Sequence, residues 1–156
     1  MSLGIMVGIP ASGKSTLAQE LFLKAPAWGD GVLVSSDQVR LELLGDEENF
    51  DNEPAVWSEV TRRVEEALSN GQSVLIDATN LQPHFRKQWI QLAEKFGVSV
   101  IAYRCSTNLS VAWRRNQQRD RVVPASVMLE MWGHWEDFGS ELSLTREGFE
   151  VYTVGL

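Results

Sequence analysis

Nine residues near the start of the chain leave little freedom in what surrounds them. Gly8-Ile9-Pro10-Ala11-Ser12-Gly13-Lys14-Ser15-Thr16 sets two glycines five positions apart and follows the second directly with lysine and serine. An apolar run from Leu3 to Val7 precedes them and suits a buried strand, and Leu17 to Lys24 reads as the body of a helix. The glycines therefore fall at a strand-to-helix turn, the context in which the pattern G-x-x-x-x-G-K-[ST] cradles phosphate. Gly8 and Gly13 let the backbone take conformations closed to other residues and approach an anion closely. The loop's N–H groups and the positive end of the following helix then surround a β-phosphate. Lys14 is spaced to reach the β- and γ-phosphates and the Ser15 hydroxyl to sit on Mg²⁺. Thr16 falls in the first helical turn. The assignment to nucleotide binding covers Gly8, Pro10, Ala11, Ser12, Gly13, Lys14, Ser15 and Thr16, with Lys14 catalytic as well.

The 156 residues are expected to form one domain, residues 1–156, with a sizeable core. No apolar run approaches the roughly 20 residues of a membrane span, and the N-terminus leads straight into the first strand without a signal-peptide pattern. Cys105 is the sole cysteine and has no partner within the chain, so a reducing, cytoplasmic setting is expected, with no membrane partner. The net charge of −7 weighs against a polyanionic ligand until its distribution is read. Residues 37 to 66 hold ten Asp and Glu against three Arg, so that segment carries the whole excess and the remainder is neutral. In the neutral part Arg114, Arg115, Arg119 and Arg121 crowd into eight residues with Asp120 between them, a local basic surface on an acidic protein.

Apolar strand-like runs alternate with helical stretches along the whole chain, which implies βαβ units and a central parallel sheet covered on both faces. The strands expected after Leu3–Val7 are Val32–Val34, Val74–Ile76, Val98–Tyr103 and Phe149–Val154. The first helix is expected to end near Ala25-Pro26, with a turn through Pro26, Gly29, Asp30 and Gly31. Ser36 or Asp37 caps a helix from Gln38 to Leu44, and Glu47 to Glu53 reads as a polar surface loop. Pro54 opens a long amphipathic helix in which Val56, Val60, Val64 and Leu68 recur at period four, ended by Gly71. Pro83 and Gly97 bound the next helix. Leu109–Gln118 is expected to run into the arginine cluster, and Ala125–Phe138 is helical after the break at Val123-Pro124. Right-handed crossovers bring the ends of the first three strands to one edge of the sheet, where ligands bind in open α/β folds.

Three polar groups are expected at that edge. Asp37 and Arg40 stand three apart at the start of the helix after the second strand, so both point from one helical face. Asp37 near a γ-phosphate would accept a proton from an attacking hydroxyl, and Arg40 would clamp a phosphate or carboxylate of the acceptor. A capping aspartate with an intrahelical ion pair is the alternative. Asp77 follows the third strand, where a carboxylate would hold Mg²⁺ directly or through water, and Thr79 and Asn80 would add hydrogen bonds to phosphate or acceptor; a polar strand end in which Asp77 or Asn80 caps a turn is the alternative. Spacing alone leaves open which of Asp37 and Asp77 is the base and which serves the metal. In the arginine run, Arg115 and Arg119 lie at i and i+4 of a helix and Arg121 beyond it. Such a segment would fold over the nucleotide as a lid and supply positive charge to a transferring phosphoryl group, or else be a solvated basic face.

Taken together these residues resemble the 5′-hydroxyl polynucleotide kinases and related phosphate-loop phosphotransferases. The matching pieces are the loop from Gly8, Ser-Ser-Asp-Gln-Val-Arg from Ser35, Leu-Ile-Asp-Ala-Thr-Asn from Leu75, Arg-Asn-Gln-Gln-Arg-Asp-Arg-Val-Val-Pro from Arg115 and Glu147-Gly148-Phe149. The resemblance implies a three-layer phosphate-loop NTPase fold with an arginine-bearing lid, and an ATP- and Mg²⁺-dependent kinase. In it Asp37 is the general base, Arg40 contacts the acceptor's phosphate, and Arg115, Arg119 and Arg121 hold the donor's phosphates. The favoured acceptor is a nucleic-acid 5′-OH, against a small metabolite or antibiotic, or a nucleotide-binding switch with little transfer activity. Trp57, Trp89, Trp113, Trp132 and Trp135 invite a reading as base-stacking platforms, but most read as helix-face packing. His84 and His134 lack a second ligand at metal spacing, and Cys105 reads as a small buried residue.

Overall fold

The computed structural model describes residues 1–24 and 28–155. Its five strands are β1 (Ser2–Val7), β2 (Val32–Ser35), β3 (Val74–Asp77), β4 (Ser99–Ser106) and β5 (Glu150–Gly155). They lie in the order β2-β3-β1-β4-β5, and every neighbouring pair is parallel. The connecting helices among the described residues are α1 (Lys14–Lys24), α2 (Ser36–Leu44), α3 (Glu53–Ser69), α4 (Pro83–Phe96), α5 (Leu109–Gln117), α6 (Ala125–Phe138) and α7 (Glu141–Glu147). None of them is long and apolar enough to cross a membrane.

A parallel sheet covered on both faces needs strands that are apolar on both sides, and the short runs here meet that demand. Leu3, Ile5 and Val7 of β1 join Val74 and Ile76 of β3 in one core, closed by Val56, Val60 and Val64 of α3 and by Trp89 of α4. Met6, Leu75 and Cys105 point to the other face, against Ala18 of α1 and Trp28. The alternation within β1 and β3 thus divides the sheet's side chains between two helical layers. Each fully buried Val or Leu side chain contributes about 1.5–3 kcal/mol. This is the three-layer α/β arrangement expected from the sequence.

The differences lie at element ends. Ser35, not Ser36 or Asp37, caps α2: its hydroxyl accepts from the Gln38 N–H at 3.3 Å, which leaves the Asp37 carboxylate available for other partners. Helix α3 begins at Glu53, so that residue leaves the expected surface loop. Helix α5 stops at Gln117, which puts Arg119 outside the helix and undoes its expected i, i+4 pairing with Arg115. Helix α7, capped by Ser140, was not expected: its seven residues bury only Leu144 and carry no readable apolar stripe. The expected helix end near Ala25-Pro26 falls outside the described residues, and of the expected turn Gly29 and Asp30 are seen as a turn, with the Gly31 N–H donating to the Trp28 carbonyl at 2.9 Å.

Candidate active site

The backbone after β1 turns sharply, and each turn has a side-chain or steric cause. Gly13 adopts φ of 91°, in the left-handed region, and so does Ala11 at 60°, although it is not a glycine. Gly8 is required for a different reason: a Cβ there would sit 2.8 Å from Ser12 Oγ and 3.2 Å from Cys105 Cβ. The loop is pinned from both flanking strands. Its Gly8 N–H donates to the Thr79 carbonyl at 3.1 Å, and Thr107 Oγ1, just past β4, donates to the Ser12 carbonyl at 2.9 Å. Asn80 Nδ2 donates to the Met6 carbonyl at 2.8 Å, stapling the end of β3 to β1.

Ahead of the loop opens a cleft of about 810 Å³. Lys14, Ser15, Asp37, Asp77, Arg119 and Arg121 all line it, so the structure brings together residues that lie more than a hundred positions apart in sequence. Burial lowers the Lys14 ammonium from its usual value against the pull of the Asp77 and Asp37 carboxylates. Burial likewise raises the Asp77 carboxyl, although Lys14 and a hydrogen bond from Ser15 oppose the rise. An anion on Lys14 and a cation on Asp77 would relieve both. The Ser15–Asp77 pair suits Mg²⁺, which takes one or two protein oxygens and draws its other ligands from phosphate and water. Among the described residues no cluster of three or more His, Cys, Asp or Glu could hold a metal ion.

The Asp37 carboxylate stands between two guanidinium groups. Arg40 Nη1 donates to Oδ1 at 2.8 Å and Arg121 Nη2 to Oδ2 at 3.1 Å. Burial pushes this carboxyl up, but the hydrogen bond and charge of Arg121, followed by Arg40 and Lys14, bring it below the ordinary aspartate value. Arg40 is itself buried and forks onto Glu53, from Nε at 2.7 Å and Nη2 at 3.0 Å, with the Phe50 ring 4.5 Å from its guanidinium carbon. These three bonds leave two of the five guanidinium N–H groups for a ligand. Trp57 Nε1 completes the chain by donating to Glu53 at 3.1 Å.

The arginine run divides. Asn116, buried at the end of α5, exchanges two hydrogen bonds with the Val123 backbone, at 2.8 and 2.9 Å, and closes the segment between α5 and α6 into a loop. That loop carries Arg119 and Arg121 into the cleft. Arg119 Nη1 and Arg121 Nη1 are buried there without a hydrogen-bond partner; the latter approaches Glu47 Oε2 only to 3.6 Å. Burial, and after it the like charge of Arg121, lowers the Arg119 guanidinium without removing its charge. Buried, unpartnered cationic donors facing a phosphate loop fit the phosphates of a nucleotide triphosphate. Arg115 lies apart from them, beside a smaller hollow of about 330 Å³ formed with Gly13, Thr16, Leu17 and Glu20.

Thr79 lines the main cleft, but Asn80 does not: its amide serves Met6, and its Oδ1 accepts from Trp89 Nε1 at 3.1 Å. Cys105 packs behind the loop, and burial pushes its thiol up to about 12, which makes it inert. Sequence reasoning missed Glu53, Thr107 and Asn116. Each acts on a partner distant in sequence or on a backbone atom, and no spacing pattern marks it.

The family described as AAA domain (AAA_33) matches residues 3–137. The chain belongs to this family. Among curated proteins it is similar to the L-seryl-tRNA(Sec) kinase of Methanococcus maripaludis, 23% identical over 151 residues, covering 96% of this chain and 58% of that protein. It is also similar to the bifunctional polynucleotide phosphatase/kinase of Schizosaccharomyces pombe, 28% identical over 112 residues, covering 72% of this chain and 23% of that one. The chain thus spans less than two thirds of either relative. Among solved structures, Kti12 of Chaetomium thermophilum in complex with ADP-AlF3 superposes with a TM-score of 0.75 at 16% identity, covering 98% of this chain and 88% of that one. The domain is therefore of the phosphate-loop kinase type, as the sequence resemblance implies.

Proposed function

We propose that the chain is an ATP-dependent kinase that transfers a γ-phosphoryl group to a hydroxyl, with a polynucleotide 5′-OH as its favoured acceptor. The observation that carries this reading is the placement of Asp37. A carboxylate held ionised by two arginines shares one cleft with Lys14, Ser15 and the unpartnered donors of Arg119 and Arg121. Asp37 accepts the hydroxyl proton while the acceptor oxygen bonds to the γ-phosphorus. The bond from that phosphorus to the β–γ bridging oxygen breaks, and ADP leaves. Lys14, Arg119 and Arg121 neutralise the charge spread over the transferring group. Ser15 and Asp77 would hold Mg²⁺, which would supply further neutralisation of the phosphate charge. Arg115 and Thr16 contact the donor from the smaller hollow. Arg40 orients Asp37 and offers its two remaining N–H groups to an acceptor phosphate, and Thr79 faces the same space. The two relatives described above are named for nucleic-acid substrates, which supports an acceptor of nucleic-acid type.

A second reading, a small-molecule hydroxyl as acceptor, draws on the cleft volume, which lies within the roughly 300–1,000 Å³ usual for small-ligand pockets. Incubation with γ-labelled ATP, Mg²⁺ and a panel of acceptors separates the two. The panel holds 5′-OH DNA and RNA oligonucleotides, a transfer RNA, single nucleosides and sugars. Label is expected at the 5′ end of the oligonucleotides. Label confined to a sugar or nucleoside would establish the small-molecule reading, and ATP turnover with no labelled acceptor would point to a nucleotide-binding switch.

A further inference from the structure

The phosphate chemistry uses one part of the cleft and leaves another unexplained. Phe50, Trp57 and Phe85 line it as well, and two of these rings are unusually open for their size: Phe50 is 60% exposed and Phe85 40%. Trp57 and Phe85 stack on each other with centroids 6.0 Å apart and planes 26° from parallel, and His84 packs against Phe85 at 4.1 Å. Contacts place this aromatic wall at the Asp37 side. Phe50 covers Arg40, Trp57 donates to Glu53, and Glu53 grips the same Arg40 that holds Asp37. Exposed aromatic surface within a concave site marks a ligand-facing surface rather than incomplete packing. Rings at the acceptor side are placed to meet the acceptor, not the donor phosphates.

We infer that the stacked pair Trp57–Phe85 is an acceptor platform that takes the unpaired base of the nucleotide bearing the reacting 5′-OH, with Phe85 as the exposed face. The inference rests on the polynucleotide reading above and sharpens it. The preferred acceptor is a single-stranded or overhanging 5′ end, because a base held in a blunt duplex cannot reach the ring. Base–aromatic stacking tolerates any sequence, so the platform selects for a base without selecting which one. It also discriminates against acceptors that have no flat ring, such as sugars.

The test pairs Phe85 variants with an altered acceptor. Phe85→Ala, Phe85→Leu and Phe85→Tyr are compared on a single-stranded 5′-OH oligonucleotide and on the same oligonucleotide with an abasic 5′-terminal residue. Loss of one base–aromatic stack corresponds to about 5- to 150-fold in affinity. Phe85→Ala and Phe85→Leu are expected to raise the acceptor KM within that range on the normal oligonucleotide, with the KM for ATP unchanged, and Phe85→Tyr to restore it. On the abasic acceptor the parent protein is expected to show the same loss already and Phe85→Ala to add none. An equal loss on both acceptors, or none on either, overturns the platform while leaving the polynucleotide reading intact. Failure of the parent to label any oligonucleotide overturns both.

Discussion

Lys14 and Asp77 are displaced from their ordinary titration by burial, and Asp37 is displaced the other way by Arg121, Arg40 and Lys14, against burial. Asp77 is the clearest case. Because its folded value is raised, the ionised carboxylate costs stability at neutral pH, and that cost disappears as pH falls below the unfolded value of about 3.9. Asp77→Asn is therefore expected to raise the melting temperature of the nucleotide-free protein at pH 7 and to have little effect near pH 3. The same variant should abolish the Mg²⁺-dependent part of activity. Thermal scans at the two pH values check the sign; a lower melting temperature at pH 7 would mean that Asp77 is a structural partner of Ser15. Asp37 runs the opposite way. Its lowered value gives stability that is present above about pH 3.9 and lost as pH falls through the folded value. At this scale the sequence was most legible where one stretch carries all the information. Gly8 to Thr16 form the loop, and Asp37, Asp77, Arg119 and Arg121 reach the cleft. It was least legible where a residue's role is to hold another. Glu53 braces Arg40 thirteen positions away, and nothing in the residues around Glu53 indicates that partner.

Elements deliver these residues, and the junctions between elements decide where they point. Asn80 is the tightest junction. Its side chain ties β3 to β1 through the Met6 carbonyl and satisfies the buried Trp89 Nε1, and its backbone sits at φ of 47°. Asn80→Ala would leave the indole N–H unpaired, remove one staple and put alanine in the left-handed region, together about 2–4 kcal/mol. A fall in melting temperature of roughly 5–15 °C is expected, since about 2–4 °C accompanies each kcal/mol in a domain of this size. Affinity for ATP should change little below the transition. An unchanged melting temperature with a raised acceptor KM would instead give Asn80 the acceptor-binding role that its place in the sequence suggested. Helix types and most boundaries were legible because apolar periodicity, Pro54, Pro83 and Gly97 mark them. The end of α5 was not, because its stop depends on Asn116 bonding the Val123 backbone across a loop. That stop carries Arg119 off the helix face and into the cleft.

For the whole molecule, the order β2-β3-β1 brings the C-terminal ends of three strands side by side, and from them come Asp37, Asp77 and the phosphate loop. Alternating strand and helix signals imply a parallel sheet, but the insertion of β3 between β1 and β2 rests on crossovers that leave no local trace. Charge distribution also takes its meaning only at this scale. The acidic segment that gives the chain its net −7 folds toward the basic run, with Glu47 facing Arg121 and Glu48 lining the cleft. Lys14, Arg40, Arg119 and Arg121 line the cleft with acidic groups close by, as suits a site that handles a few phosphates at close range. In the proposed reaction Asp37 acts on the acceptor hydroxyl while the loop holds the donor. The most direct measurement is the single-turnover transfer rate of Asp37→Asn, taken alongside its affinity for Mg·ATP. A positioned general base contributes about 10²–10⁴-fold, so the rate is expected to fall on that scale with nucleotide affinity nearly unchanged. A variant that transfers at the parent rate, or one whose main loss is in Mg·ATP binding, would contradict the claim and pass the role of base to Asp77.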